Sequence, residues 1–95
     1  MRENVIEKRL REAIEEIGGK AFKFSSPGNI GVPDRIILLA GRVIFVELKK
    51  QGQELRPFQK YRKRQLEKLG FQVAVIDSIE KVEEFLEGLI NGAKD

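Results

Sequence analysis

The hydropathy pattern predicts an α/β fold built in the order αβββαβα. Three observations carry that reading. Residues 3–17 repeat apolar side chains at helical spacing, through Ile6, Leu10, Ala13, Ile14 and Ile17. Residues 34–39 and 42–48 are two apolar runs separated only by Ala40-Gly41, the signature of a tight β-hairpin. Helical and strand patterns then alternate to the end of the chain.

Each element has its own local cause. Gly18-Gly19 closes the first helix. Residues 20–25 read as a strand with Phe22 and Phe24 on one face. Residues 25–32 form a loop carrying Pro27, Gly28, Asn29 and Gly31. That loop either lies beside a bound substrate, its glycines allowing close approach, or is a plain connector. After the hairpin, residues 50–55 are a polar loop. Pro57 suits the first turn of a helix that Gly70 stops. Phe58, Tyr61, Leu66 and Leu69 give this helix a partial apolar face, with Lys60, Lys63, Arg64 and Lys68 on its other side. Residues 71–76 form a short strand. Asp77 or Ser78 caps the last helix, with Glu80 completing a capping box if Asp77 is the cap. Val82, Phe85, Leu86, Leu89 and Ile90 form its inner stripe.

Composition narrows the chemistry. Ninety-five residues support one domain, 1–95, with a modest core. The chain has neither cysteine nor histidine. Disulfides, thiolate zinc sites and an imidazole general base are therefore excluded, and any metal must be held by oxygen. No apolar run is long enough to span a membrane and no secretory leader is recognisable, so the expected location is cytoplasmic. The net charge is only +3, but it is unevenly spread. Residues 48–68 hold eight Lys or Arg against two Glu, whereas residues 69–95 hold two Lys against six acids. Such a localised basic surface is either a solvated helix face or a contact for nucleic acid.

The hairpin also serves as a ruler. With a two-residue turn, cross-strand partners sum to 81, so that Leu38 faces Val43, Ile36 faces Phe45 and Asp34 faces Glu47. Alternation puts these six side chains, and Lys49 after them, on one side of the sheet. A three-residue turn would shift the register. Opposed carboxylates repel at such short range. A divalent cation would relieve that repulsion, and oxygen ligands suit Mg²⁺ or Mn²⁺.

Pro33-Asp34, followed by Glu47-Leu48-Lys49 at the end of an apolar strand, in an αβββαβ chain, resembles the PD-(D/E)XK nuclease superfamily. The closer resemblance is to the VRR-NUC family, the virus-type replication and repair nucleases, in its stand-alone form. It spans nearly the whole chain and includes Gly31-Val32-Pro33-Asp34, Phe45-Val46-Glu47-Leu48-Lys49 and Leu55-x-Pro57-x-Gln59. The resemblance implies a restriction-endonuclease-like core, a central mixed sheet flanked by helices. It implies that Asp34, Glu47 and the carbonyl of Leu48 hold Mg²⁺ or Mn²⁺. It further implies that Lys49 orients the nucleophile or stabilises charge on phosphate, and that Gln59 supports the site from its helix. A first-helix glutamate completes such sites. Glu3 is preferred, because Ile6 and Leu10 follow it at the family spacing, with Glu7 as the alternative. Arg56 stands where the family often has a small capping residue, which would exchange a helix cap for a phosphate contact.

The function implied is metal-dependent hydrolysis of phosphodiester bonds in DNA, by an endonuclease of the DNA-repair type. Lys50, Arg56, Lys60, Lys63 and Arg64 would grip the backbone without reading sequence. Nothing resembles a base-reading motif, so the expected substrate is branched DNA, such as a flap or a four-way (Holliday) junction. A homodimer would set two active sites against two strands. A phage, viral or bacterial-type origin is expected from the short length. The rival readings are a non-catalytic DNA-binding or assembly module with this fold, and an RNA-directed nuclease.

Overall fold

In a computed structural model, which describes residues 2–92, the elements follow the predicted order. They are α1 (Glu3–Glu16), β1 (Lys20–Lys23), β2 (Arg35–Leu39), β3 (Arg42–Leu48), α2 (Pro57–Lys68), β4 (Gln72–Ile76) and α3 (Ile79–Gly92). Lys94 and Asp95 of the acidic tail lie outside the described residues. The strands form one mixed sheet in the order β1-β2-β3-β4, the first two pairings antiparallel and β3–β4 parallel. Strand β3 is central. The parallel pairing requires a crossover, and α2 supplies it.

The turn is two residues long. Leu39 pairs with Arg42, Leu38 with Val43 and Ile36 with Phe45. Both turn residues have positive φ, 50° at Ala40 and 77° at Gly41. That is the type I′ geometry, which matches the twist of the flanking strands. Ala40 is the sole non-glycine residue with positive φ among the described residues. An alanine there carries a steric cost of about 1–2 kcal/mol that asparagine partly avoids. Ala40→Asn is therefore expected to stabilise the protein by roughly 0.5–1 kcal/mol, a rise in Tm of about 2–8 °C for a domain of this size. Thermal denaturation checks it, and an unchanged or lower Tm would count against the turn assignment.

The sheet has two unlike sides. Ile37, Ile44, Val46, Leu48 and Ile76 point toward α1 and α3 and meet Ile6, Leu10, Ile14, Val82, Phe85 and Leu86 in the core. Ile6, Ile14, Ile37, Val46 and Val82 are wholly buried there. Ile36, Phe45 and Val73 occupy the other side. On it, Phe45 packs against Phe24 and Phe71 with ring centroids 5.6 Å apart in each pair.

Three apolar expectations are corrected by the packing. Helix α1 ends at Glu16, and Ile17 becomes its half-exposed C-cap instead of the last member of the stripe. Ile90 is exposed at the far end of α3. No side chain of α2 is buried: Phe58, Tyr61 and Leu69 are all exposed, because this helix lies over the less covered side of the sheet. The choice of cap for α3 falls on Ser78, whose Oγ accepts the Lys81 N–H at 3.1 Å. Asp77 instead accepts the Gly52 N–H at 3.1 Å and pairs with Lys81, tying the 50–55 loop to the β4–α3 junction.

The start of α2 keeps half of a capping box. Gln59 Oε1 accepts the Arg56 N–H at 2.9 Å. Arginine has no acceptor to return the favour. The cap expected to be lost at Arg56 is thus supplied from the other partner, by Gln59.

Candidate active site

The β2–β3 ladder ends where the charged residues begin. Arg35 pairs with Val46 as the last rung of strand β2. One residue earlier, the Asp34 main chain already serves β1, its carbonyl accepting the Phe24 N–H at 2.9 Å. The Asp34 side chain then takes over as acceptor for β3: its Oδ1 receives the Leu48 N–H at 3.1 Å. This bond ties the carboxylate to the end of the central strand and fixes the orientation of the Leu48 peptide. Glu47 and Lys49 flank that peptide and are both buried, at 7% and 9% exposure. Pairing of Lys49 N–H with the Ile76 carbonyl, at 2.9 Å, continues the parallel ladder and holds the lysine backbone in line.

Burial of two acids side by side has an electrostatic consequence. The Glu47 carboxyl is pushed up from its ordinary 4.5 to about 7, first by burial and then by the nearby charge of Asp34. Lys49 and Arg35 oppose that rise. Asp34 is also raised, again chiefly by burial, with the Leu48 N–H and the Arg35 guanidinium pulling the other way. The charge of Glu3 raises both groups. Glu3 therefore belongs to this electrostatic cluster from the first turn of α1. Glu7 is turned to Arg11, which it pairs with at 3.3 Å.

The structure thus brings Asp34, Glu47, the Leu48 peptide and Lys49 to one end of the sheet, with Glu3 near enough to be felt. Gln59 has its amide oxygen committed to the start of α2. Of the basic residues, Lys50, Arg56, Lys60 and Arg64 are exposed, and Lys63 pairs with Glu67 at 2.9 Å. Two contributors escaped the sequence reading. Arg35 lies beside Asp34, its Nη1 donating to the Asp34 carbonyl at 2.9 Å and standing 3.8 Å from Oδ2. Its strand parity, shared with Ile37, was the available signal: a cation on the core side of an apolar strand. Arg62 donates twice, from Nε and Nη2, to the Ile30 carbonyl at 3.2 Å. That contact spans 32 positions and left no local trace in the sequence. The loop it pins also packs tightly on α2. A Cβ at Gly31, whose φ is +86°, would collide with the Phe58 carbonyl.

Whether these residues suit a divalent cation can be tested on the donor set. Among the described residues, no three carboxylates stand close enough together to form a ready cage. Mg²⁺ seldom needs one, since it binds through one or two carboxylates and keeps several waters for itself or for substrate phosphate. Two opposed acids that repel each other, a main-chain oxygen in line with them and no nitrogen or sulfur ligand match that habit. The residues fit. They line the open end of the sheet and not a closed cavity. A groove of about 380 Å³ between α1 and α3, lined by Arg9, Glu16, Glu83 and Glu87 among others, contains none of them.

Comparison with known proteins speaks to the fold and the family. No family model matches the sequence. The protein named "Putative nuclease p44" of Acyrthosiphon pisum secondary endosymbiont phage 1 is 48% identical over 79 residues, which cover 82% of this chain and 85% of the phage protein. A solved structure described as a VRR_NUC domain superposes with a TM-score of 0.84 at 31% identity, covering 90% of this chain and 94% of its own. Another, a VRR_NUC domain protein, has a TM-score of 0.72 at 21% identity, with 96% and 89% covered, and speaks to the fold. Similar fold and substantial identity over most of the chain lead to one assignment: this chain belongs to the VRR-NUC family of nucleases.

Proposed function

We propose that this nuclease is a Mg²⁺- or Mn²⁺-dependent endodeoxyribonuclease that cleaves branched DNA, such as flaps and four-way junctions. The observation that carries the reading is the pair of carboxylates at the mouth of the β2–β3 hairpin, Glu47 buried and Asp34 partly exposed. Burial first, and then the nearby charge of Asp34, lifts Glu47 to about 7. A site arranged to favour two adjacent acids only when extra positive charge arrives is suited to a cation. Asp34, Glu47 and the Leu48 carbonyl would hold it, with Glu3 as the further acid. When bound, such an ion polarises a phosphate oxygen and makes water a better nucleophile.

The chain's own groups supply the rest. Lys49, buried on the Glu47 side, carries positive charge toward the place where negative charge grows on the phosphate. Because its main chain is fixed in the β3–β4 ladder, the ammonium starts from a fixed base and loses little order during reaction. Gln59 holds the first turn of α2 in shape, and Arg56, Lys60 and Arg64 with Lys50 present cations to the sugar-phosphate backbone. Contacts of this kind position a substrate without reading its sequence. Lys60→Ala and Arg64→Ala are each expected to raise KM for DNA and to lower the salt slope of binding by about one, with kcat little changed. A titration of binding against salt concentration measures this, and unaltered slopes would place the DNA elsewhere.

Branched substrates imply two cuts, and a homodimer supplies two sites. Phe58, Tyr61 and Leu69 on α2, with Phe22 and Phe71 on the same side of the sheet, leave an apolar surface that a second copy can cover. Light scattering at micromolar concentration tests the dimer. Among the described residues no helix is long and apolar enough to cross a membrane. A phage or bacterial-type source accords with the phage relative.

The deciding experiment is a cleavage panel of single-stranded, duplex, flap and four-way DNA, with matched RNA junctions, in Mg²⁺, Mn²⁺ and chelator. Cleavage of branched DNA that chelator abolishes supports the proposal. Metal-independent cleavage, or preference for RNA, would overturn the corresponding part of it.

A further inference from the structure

The mechanism above leaves one charged residue of the site without a task. Arg35 follows Asp34 directly, yet its strand position places it across from Val46, whose side chain is wholly buried. The arginine side chain is only 14% exposed. Its Nη1 donates to the Asp34 carbonyl at 2.9 Å and approaches the Asp34 carboxylate, 3.8 Å from Oδ2. Its Nε is buried without a hydrogen-bond partner among the described residues. Taking a guanidinium out of water and leaving a donor unmet is costly, and such groups in native folds call for a reason.

The reason lies in what the arginine faces. Asp34 Oδ1 is held by the Leu48 N–H from one side, and Oδ2 looks toward Arg35 on the other. Lys49 follows Glu47 by two residues at the same end of the sheet, so each acid has a largely buried cation close to it along the chain.

We propose that Arg35 is a positioning residue, which holds the Asp34 carboxylate in one orientation and balances the acid pair, so that the pair is set to receive a divalent cation. This rests on the reading of Asp34 and Glu47 as cation ligands. Arg35 does not touch DNA. Its strand parity sets it on the side of the sheet packed by α1 and α3, and its Nη1 is already bonded to the Asp34 carbonyl. Its effect must therefore pass through Asp34.

The test uses the full chain with Arg35→Gln and Arg35→Lys beside wild type. Circular dichroism first establishes folding. Mn²⁺ binding by calorimetry, without nucleic acid, and steady-state cleavage of a branched DNA follow. Partners of metal ligands typically affect metal affinity by about 10–100-fold. Arg35→Gln is expected to weaken Mn²⁺ binding by about tenfold or more and to lower kcat, with KM for DNA unchanged. Arg35→Lys recovers part of the affinity, because it keeps the charge and loses the fork. If Arg35→Gln fails to fold, Arg35→Lys is judged by the same three readings. Wild-type Mn²⁺ affinity and kcat in a folded variant would overturn the proposal. A raised KM at unchanged kcat would overturn it too, by making Arg35 a phosphate contact. Wild type that binds Mn²⁺ but cleaves nothing removes the nuclease reading and leaves the Arg35 result standing, whereas wild type that binds no Mn²⁺ overturns both.

Discussion

Glu47→Gln is expected to abolish cleavage, by at least about 10³-fold, while making the metal-free protein more stable at pH 8. The loss follows from removing an anionic donor of the proposed cation site. The gain follows from the raised carboxyl. In the unfolded chain Glu47 ionises at its ordinary 4.5, and in the folded protein at about 7. Between those values the folded state holds more protons than the unfolded state, so stability falls as pH rises through that window. Above it the full penalty is present, and it amounts to roughly 1–3 kcal/mol once partial screening by Lys49 and Arg35 is allowed for. Asp34, also raised, works in the same direction. Glutamine keeps the shape and drops the charge. The variant should then match wild type near pH 4.5 and exceed it at pH 8, in thermal melts run with chelator. A variant that melts below wild type at pH 8 would mean that Glu47 is well compensated where it stands. The same carboxyl predicts that Mn²⁺ affinity rises with pH up to about 7, because the ion competes with a proton for Glu47.

Lys49→Ala should lower kcat by about 10²–10³-fold, the usual cost of removing one preorganised positive or hydrogen-bonding group from a reacting oxygen. KM for DNA should move little, since the proposed backbone contacts lie on α2 and Lys50. Mn²⁺ binding should survive, and that separates this lysine from the acids. Its removal also takes away a charge that holds Glu47 down, so the metal-free variant should lose stability at pH 8 relative to wild type. Lys49→Arg should restore little activity, because a planar fork does not replace a compact ammonium within a buried space. Full activity in Lys49→Ala would remove the lysine from the mechanism and point to an α2 cation in its stead.

The hairpin shows why so much of the site was legible beforehand. Register in a two-residue turn is an arithmetic consequence of turn length, and side-chain alternation then assigns faces without knowledge of the rest of the molecule. The 39–42, 38–43 and 36–45 pairings bear out that register, which directs Asp34 and Glu47 to one side, although the ladder itself ends one rung earlier at Arg35–Val46. Helix α1 was legible through its apolar repeat, and its end through Gly18-Gly19. Arg62 gave no such signal. Its partner is a carbonyl 32 positions away, and a main-chain oxygen has no identity to read in a sequence. Arg35 was visible as a charge but was passed over beside the acid it serves.

Element order and hairpin register came from the sequence by itself, because each rests on interactions between residues close along the chain. The tertiary structure decided the rest. It chose Glu3 over Glu7 as the acid felt by the pair, since that depends on where the first turn of α1 lands against the sheet. It raised Glu47, because burial is a property of the packed molecule and not of a tripeptide. It left the partial apolar face of α2 without a buried side chain, because periodicity specifies which side chains share a face but not whether anything lies against them.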